Sequence, residues 1–275
     1  MKNRGQSLII ILLIAAVGLT IGLAVISRSV TDINISQQEE ESARVFSVAE
    51  AGIEEAIRAG DVPSGGITIG EITATVEKQS LGGGQEFVFP GEYEAGDIQT
   101  LWLIGHDEQE NLNENIRYNG SSLIFYWGKE GQSADQNTTP ALEVTLIYKD
   151  GNTFKIKRGV YDPNSSRRAS NHFDAPDTGT PPYVVDGKKF QFKKENFGLV
   201  TGTIPYLVRF RLIYNNEPQI IGVKGTTNLP QQGICFISTA TSPNGITRRV
   251  KQCNLYKSPP GIFDYVLYSE ENLAK

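Results

Sequence analysis

Acid–base, nucleophilic or metal chemistry needs histidines, cysteines or carboxylates at short spacing, and this chain has two histidines and two cysteines in 275 residues. His106, followed by Asp107, and His172 both stand among polar, loop-forming residues. No Gly-x-Ser-x-Gly elbow, His-Glu-x-x-His helix or phosphate-cradling Gly-x-x-x-x-Gly-Lys loop is written into the sequence, so both read as solvated loop histidines. Gly82-Gly83-Gly84 leads into Gln85-Glu86 and reads as a turn. Asp174 with Asp177, or Glu92, Glu94 and Asp97, could offer oxygens to Ca²⁺. That ion takes about six to eight ligands and neither cluster has the EF-hand spacing, so solvated surface carboxylates are the reading. The basic runs Arg167-Arg168 and Arg248-Arg249-Lys251 could touch nucleic acid. With 26 Lys+Arg against 31 Asp+Glu and a net charge of -5, they are read as local charge balance instead. Asn137 and Asn164 head Asn-x-Ser/Thr sites, which matter only in a glycosylating host. No enzyme activity, cofactor or metal is expected.

The two cysteines carry a sharper inference. If Pro243 and Asn244 form a type I turn with Gly245 left-handed after them, Ser242 faces Ile246 across a hairpin. Each step back along one strand is then matched by a step forward along the other, which brings Cys235 opposite Cys253. Facing positions on antiparallel strands approach the spacing a disulfide needs, and export into an oxidising compartment favours the bond. The alternative is a reduced pair packed as small hydrophobes.

Export follows from the N-terminus. Residues 8–26 carry no charge, and as a helix rising about 1.5 Å per residue they span roughly 28 Å, close to a bilayer core. Lys2 and Arg4 precede the run, while Asp32 and Glu39-Glu40-Glu41 follow it. The positive-inside bias keeps the N-terminus cytoplasmic and sends the remainder outward. The run is longer than a secretory signal core and lacks a small-x-small cleavage site. There is no Gly or Pro between Gly22 and Gly52, and the first Pro is Pro63, so the helix is expected to continue to Ala59. In its outer half, residues 30–59, Phe46, Ala49, Ile53, Ala56 and Ile57 recur at helical spacing as a docking stripe. Glu40 with Arg44, and Glu54 with Arg58, form i,i+4 pairs. Gly18 and Gly22, at small-x-x-x-small spacing, would let another helix approach closely.

Arg4-Gly5 followed at once by Gln6-Ser7 and the apolar run resembles the leader and N-terminal helix of type IV pilins and pseudopilins. The string Phe46-Ser47-Val48-Ala49-Glu50-Ala51-Gly52-Ile53 is similar to the Ala-Glu-Ala-Gly segment of PilX-type minor pilins. The resemblance covers about the first sixty residues. It implies a prepilin leader, residues 1–5, cut by a prepilin peptidase between Gly5 and Gln6. It further implies a mature helix held in membrane lipid until it joins the helices of other pilin subunits. The family's fifth mature position is usually Glu; here it is Ile10, and Gln6 replaces the usual Phe. The K-type minor pseudopilin of type II secretion also lacks that Glu, so the resemblance implies a minor subunit at or near a filament tip.

Residues 66–275 read as an extracytoplasmic β-rich domain. Alternation and β-branched or aromatic enrichment mark strands at 67–76, 98–104, 123–127, 142–148, 154–161, 207–214, 219–223, 233–240, 246–256 and 263–268. Asp150-Gly151, Asn215-Asn216 and Asn244-Gly245 supply turns. The Pro-, Ser- and Asp-rich stretch 161–188 reads as an exposed functional loop or a disordered insertion. The expected fold class is α+β: a long transmembrane and amphipathic helix packed on a mainly antiparallel β domain. The expected location is the cytoplasmic membrane, single-pass, and an external filament after assembly. Two other readings stay open: a tethered binding or adhesin module that enters no filament, and a tethered hydrolase using two carboxylates. No residue names a surface ligand.

Overall fold

A computed structural model describes residues 6–107 and 109–261. The expected leader with Gly5, and the expected strand 263–268, lie outside the described residues. The chain opens with α1 (Gln6–Ala59), then β1 (Ile67–Ile69), β2 (Ile72–Gly82), β3 (Glu86–Val88), β4 (Ile98–Trp102), β5 (Ile104–His106) and β6 (Leu112–Arg117). Next come β7 (Ser122–Lys129), β8 (Ala141–Asp150), β9 (Thr153–Tyr161), α2 (Ser165–Asn171), β10 (Tyr183–Val185) and β11 (Lys188–Gly198). The last are β12 (Ile204–Ile213), β13 (Ile221–Gly225), β14 (Gln231–Thr241) and β15 (Thr247–Leu255). The class is α+β, a long apolar N-terminal helix with antiparallel sheets. Two compact units divide the described chain, one from residues 6–78 and 236–252 and one from 79–235 and 253–261.

In the first unit the outer half of α1 packs on its sheet through Val45, Val48 and Ala49 against Ala74 and Ala240, with Ile72, Ile246 and Val250 partly buried beside them. Ile53 and Ala56 are buried in the following turns. The docked face recurs every three or four residues, as helix geometry demands. Phe46 and Ile57, expected within that stripe, are 44% and 42% exposed. Each follows a docked residue, Val45 or Ala56, and the helix turns about 100° per residue, so both swing to the flank. Gly52 lets the helix come close: a Cβ there would lie 2.4 Å from Ser238 Oγ. The helix ends at Gly60, which takes φ +70, with Pro63 shortly after. The stretch 67–76, expected as one strand, folds back at Gly70 and Glu71 to pair β1 with β2, Ile69 facing Ile72. Gly70 supplies the φ of +62 that the reversal needs.

The second unit is a β-sandwich. One sheet has the order β10-β11-β7-β13-β3 and the other β4-β12-β8-β9. Phe125, Trp127, Ile221 and Val223 from the first meet Leu142, Val144, Leu146, Val208 and Phe210 from the second in one continuous core. Phe125 and Phe210 meet edge to face at 5.2 Å between centroids. Trp127 satisfies its indole N–H on the Pro140 carbonyl at 2.9 Å. The stretch expected as a strand at 98–104 breaks at Leu103, whose N–H bonds Tyr206 O and whose carbonyl takes Tyr118 N–H, both at 2.8 Å.

The stretch 161–188, expected as an exposed functional loop or a disordered insertion, holds α2 and β10. Asp162 is fully buried and accepts two hydrogen bonds from the Arg167 guanidinium, at 2.7 and 2.6 Å. Asn171 Nδ2 and the Asn164 N–H complete its shell at 2.8 and 2.9 Å. Asn164 caps α2 by accepting from Arg167 N–H. The stretch then supplies β10, whose hairpin to β11 turns through Asp186 at φ +45 and Gly187 at φ +71. Composition marked it as loop because its polar side chains bond within the stretch, which composition alone does not reveal.

Candidate functional site

The first candidate surface is α1 itself. Its described apolar side chains from Ile10 to Ile35 are exposed, and the helix is long and apolar enough to cross a membrane. Thr20, the one hydroxylated residue of the 8–26 run, donates to the Val17 carbonyl at 2.8 Å, which leaves that hydroxyl satisfied within the helix. Among the described residues nothing lies within 4 Å of where a Cβ would stand at Gly18 or Gly22, so no packing among them requires either glycine. Further along, Glu40 pairs with Arg44 as expected, whereas Arg58 pairs with Glu55, one residue on from the expected Glu54. Both spacings place the groups on one helix face, and the i,i+3 geometry takes both Glu55 oxygens.

Two hairpin tips meet the helix where its exposed and docked halves join. Asn244 Nδ2 donates to both Glu41 oxygens at 2.9 and 3.0 Å, and Arg248 Nε donates to Ser42 Oγ at 2.8 Å. Hydrogen bonds from Ser242 and then Asn244 hold the Glu41 carboxyl below its ordinary range. Part of the basic run Arg248-Arg249-Lys251 is thus committed to helix docking. A groove of about 920 Å³ opens beside these contacts, between helix positions 37–48 and the tips carrying Ile69, Glu71 and Pro243.

Cys235 and Cys253 form a disulfide, with Cα atoms 3.9 Å apart. The hairpin has the expected turn: Gly245 lies at φ +86, and Ser242 N–H bonds Ile246 O at 2.9 Å. Farther down the same register Tyr256 N–H bonds Gln232 O at 2.9 Å. Alternation from either pair makes Cys235–Cys253 a non-hydrogen-bonded pair, the class in which facing Cα atoms come closest.

His106 is half-buried rather than freely solvated, which corrects the sequence reading. Its ring stacks on Tyr256 at 4.1 Å and meets Trp102 edge-on at 4.9 Å, and its Nδ1 is buried without a partner. Burial pushes its pKa down, with Glu110 and Asp107 opposing. The signal was the aromatic spacing Trp102 to His106, but Tyr256 comes from far along the chain. His172 is the left-handed cap of α2, at φ 57. No nucleophile stands beside either histidine in the contacts described.

The remaining candidates are bound into the fold. Arg167 Nη1 and Nη2 donate to the Asn137 and Thr139 carbonyls, and Arg168 Nη1 to the Asp162 and Pro163 carbonyls. Asp177 pairs with Lys194 and Glu92 with Lys129. Asp97 accepts from Glu94 N–H at 2.8 Å. Asn164 is buried, so a glycan cannot reach it in the folded chain. Among the described residues no group of three His, Cys, Asp or Glu could hold a metal ion.

Sequence reasoning missed a cleft in the second unit, between loops 117–121 and 199–205. Its signal was the pair Asn119-Gly120-Ser121 and Thr201-Gly202-Thr203, which carry turn chemistry and hydroxyl and amide side chains. Compared with known proteins, the chain matches no family, no curated protein and no solved structure.

Proposed function

We propose that this chain is a minor pilin or pseudopilin, a structural subunit of a type IV pilus or type II secretion-like filament at or near its tip. The observation that supports this most is a single unbroken helix, Gln6–Ala59, used in two ways. Its outer turns are buried through Val45, Val48, Ala49 and Ile53, while residues 10–35 hold a row of exposed apolar side chains far longer than the docked part requires. A plain anchor needs about 20 residues and no continuation. A helix that first sits in lipid and then packs among other helices uses the whole length. The leader motif Arg4-Gly5-Gln6, and Ile10 where Glu is usual, agree with a minor subunit of this class. A tethered binding module remains the competing reading, and a single experiment separates the two.

That experiment is the mass of the mature N-terminus from membranes with and without a coexpressed prepilin peptidase. A new terminus at Gln6 that appears only with the peptidase is the expected outcome. A terminus unchanged in both cultures would leave a tethered extracytoplasmic β protein and defeat the filament reading.

A further inference from the structure

The cleft between loops 117–121 and 199–205 measures about 460 Å³, within the size range of small-ligand sites. The first loop enters β7 and the second leaves β11 and enters β12, so both sit at one end of the sandwich. Each wall is held by its own bonds. Tyr118 Oη donates to Ser122 O at 2.7 Å and accepts from Thr226 N–H at 2.8 Å. Gly120 permits that closure, because a Cβ there would lie 2.1 Å from the same Oη. Thr203 Oγ1 donates to Val200 O at 2.7 Å, and Leu199 N–H donates to Ser121 O at 2.9 Å, tying loop to loop. A cleft held this way loses little freedom when it takes a ligand.

Its lining divides by chemistry. Leu199, Val200 and Pro205 give an apolar floor, while Asn119, Ser121 and Thr201 line it with amide and hydroxyl groups. Among the described residues those three side chains make no hydrogen bond within the protein, nor does Arg117, which also lines the cleft. Elsewhere in this unit the arginines are committed, Arg167 to Asp162 and Arg211 to Glu143 among them.

We infer that this cleft binds a carboxylate-bearing saccharide of the uronic acid class. The guanidinium of Arg117 offers a planar pair of donors that matches a carboxylate. The neutral hydroxyl and amide groups match sugar hydroxyls, and the apolar floor suits the C–H face of a pyranose ring. A single cation and no lysine in the lining make it a poor phosphate site. The inference stands whether or not the chain enters a filament.

Saturation-transfer NMR on the full chain in detergent micelles tests it, with D-glucuronate as probe and D-glucose as the neutral analogue. Glucuronate should give a signal at least about fivefold above glucose at equal concentration. Arg117→Gln should lower it to the glucose level, and Thr201→Trp, which fills the cleft from an exposed position, should abolish it. Arg249→Gln, a surface arginine of the other unit, should leave it unchanged. No glucuronate signal, equal signals from the two sugars, or a signal that survives either cleft substitution would overturn the assignment.

Discussion

Gly52 and Ser238 show how one atom sets the distance between helix and sheet. A glycine inside a helix costs up to about 1 kcal/mol against alanine, so its presence in α1 needs a compensating contact. The contact is with Ser238, fully buried and with no partner for its hydroxyl. A Cβ at Gly52 would stand 2.4 Å from Ser238 Oγ and 3.3 Å from Ser238 Cβ, with Val76 Cγ2 at 3.2 Å. Gly52→Ala is therefore expected to destabilise by about 1–2 kcal/mol despite the better propensity of alanine. Ser238→Ala removes the clashing oxygen and an unsatisfied buried hydroxyl, and should stabilise by about 1 kcal/mol alone. In the double variant the two changes should couple favourably, restoring at least wild-type stability. Urea midpoints of the four proteins in one detergent check this. Strict additivity would mean that the helix is not held against the sheet through this pair.

At the scale of elements, the 161–188 stretch shows what charge can do when it is buried. Asp162 has no exposure and is bridged by Arg167, whose ring-facing side lies 4.0 Å from the Tyr214 centroid. Burial would raise the Asp162 pKa, but hydrogen bonds from Arg167, Asn164 and Asn171 outweigh it and the net shift is downward. A carboxyl with a depressed folded pKa contributes stability above its unfolded value of about 3.9, and loses it as pH falls through the lower folded value. Asp162→Asn leaves the Arg167 charge uncompensated and should cost about 3 kcal/mol at pH 7. The deficit should shrink as pH falls below about 4, where the unfolded chain takes up the proton, and be lost below the depressed folded value, where the native protein loses the anion too; a deficit constant down to pH 2 would refute the account. The same stretch marks where the sequence stops being legible. The strands β8 and β12 could be read because Leu142, Val144 and Leu146, and Val208, Phe210 and Leu212, alternate along them and face the sandwich core. The hairpin carrying Cys235 and Cys253 could be read because its turn residues fix the register. By contrast β11 was hidden by Lys188, Lys189, Lys193 and Lys194; the Lys193 and Lys194 ammonium groups lie 4.7 Å over Tyr183 and 5.6 Å over Tyr161. The cleft was hidden because its walls come from segments about eighty positions apart, joined only by tertiary folding.

For the whole molecule, the proposed filament role predicts that stability and assembly separate at Gly18 and Gly22. Among the described residues no other element lies within 4 Å of a Cβ built at either position, so replacing both with leucine meets no internal obstacle. Leucine is also the better helix former, which makes the two glycines unfavourable for the isolated subunit. Their positions four residues apart on one face of the exposed span would let a second helix approach to backbone contact, where leucine would hold it off. The double substitution Gly18→Leu, Gly22→Leu should therefore leave the urea midpoint of the detergent-solubilised protein unchanged within about 0.5 kcal/mol. In cells it should leave membrane insertion and N-terminal processing intact and lower the amount of this chain recovered with sheared filaments by at least about tenfold. Wild-type recovery would show that the glycines face only lipid and that assembly uses another part of α1. A loss of insertion or processing together with recovery would place the defect before assembly, and the packing role would fall. Only a selective loss at the last step, with fold, insertion and processing preserved, ties these two positions to helix-to-helix contact.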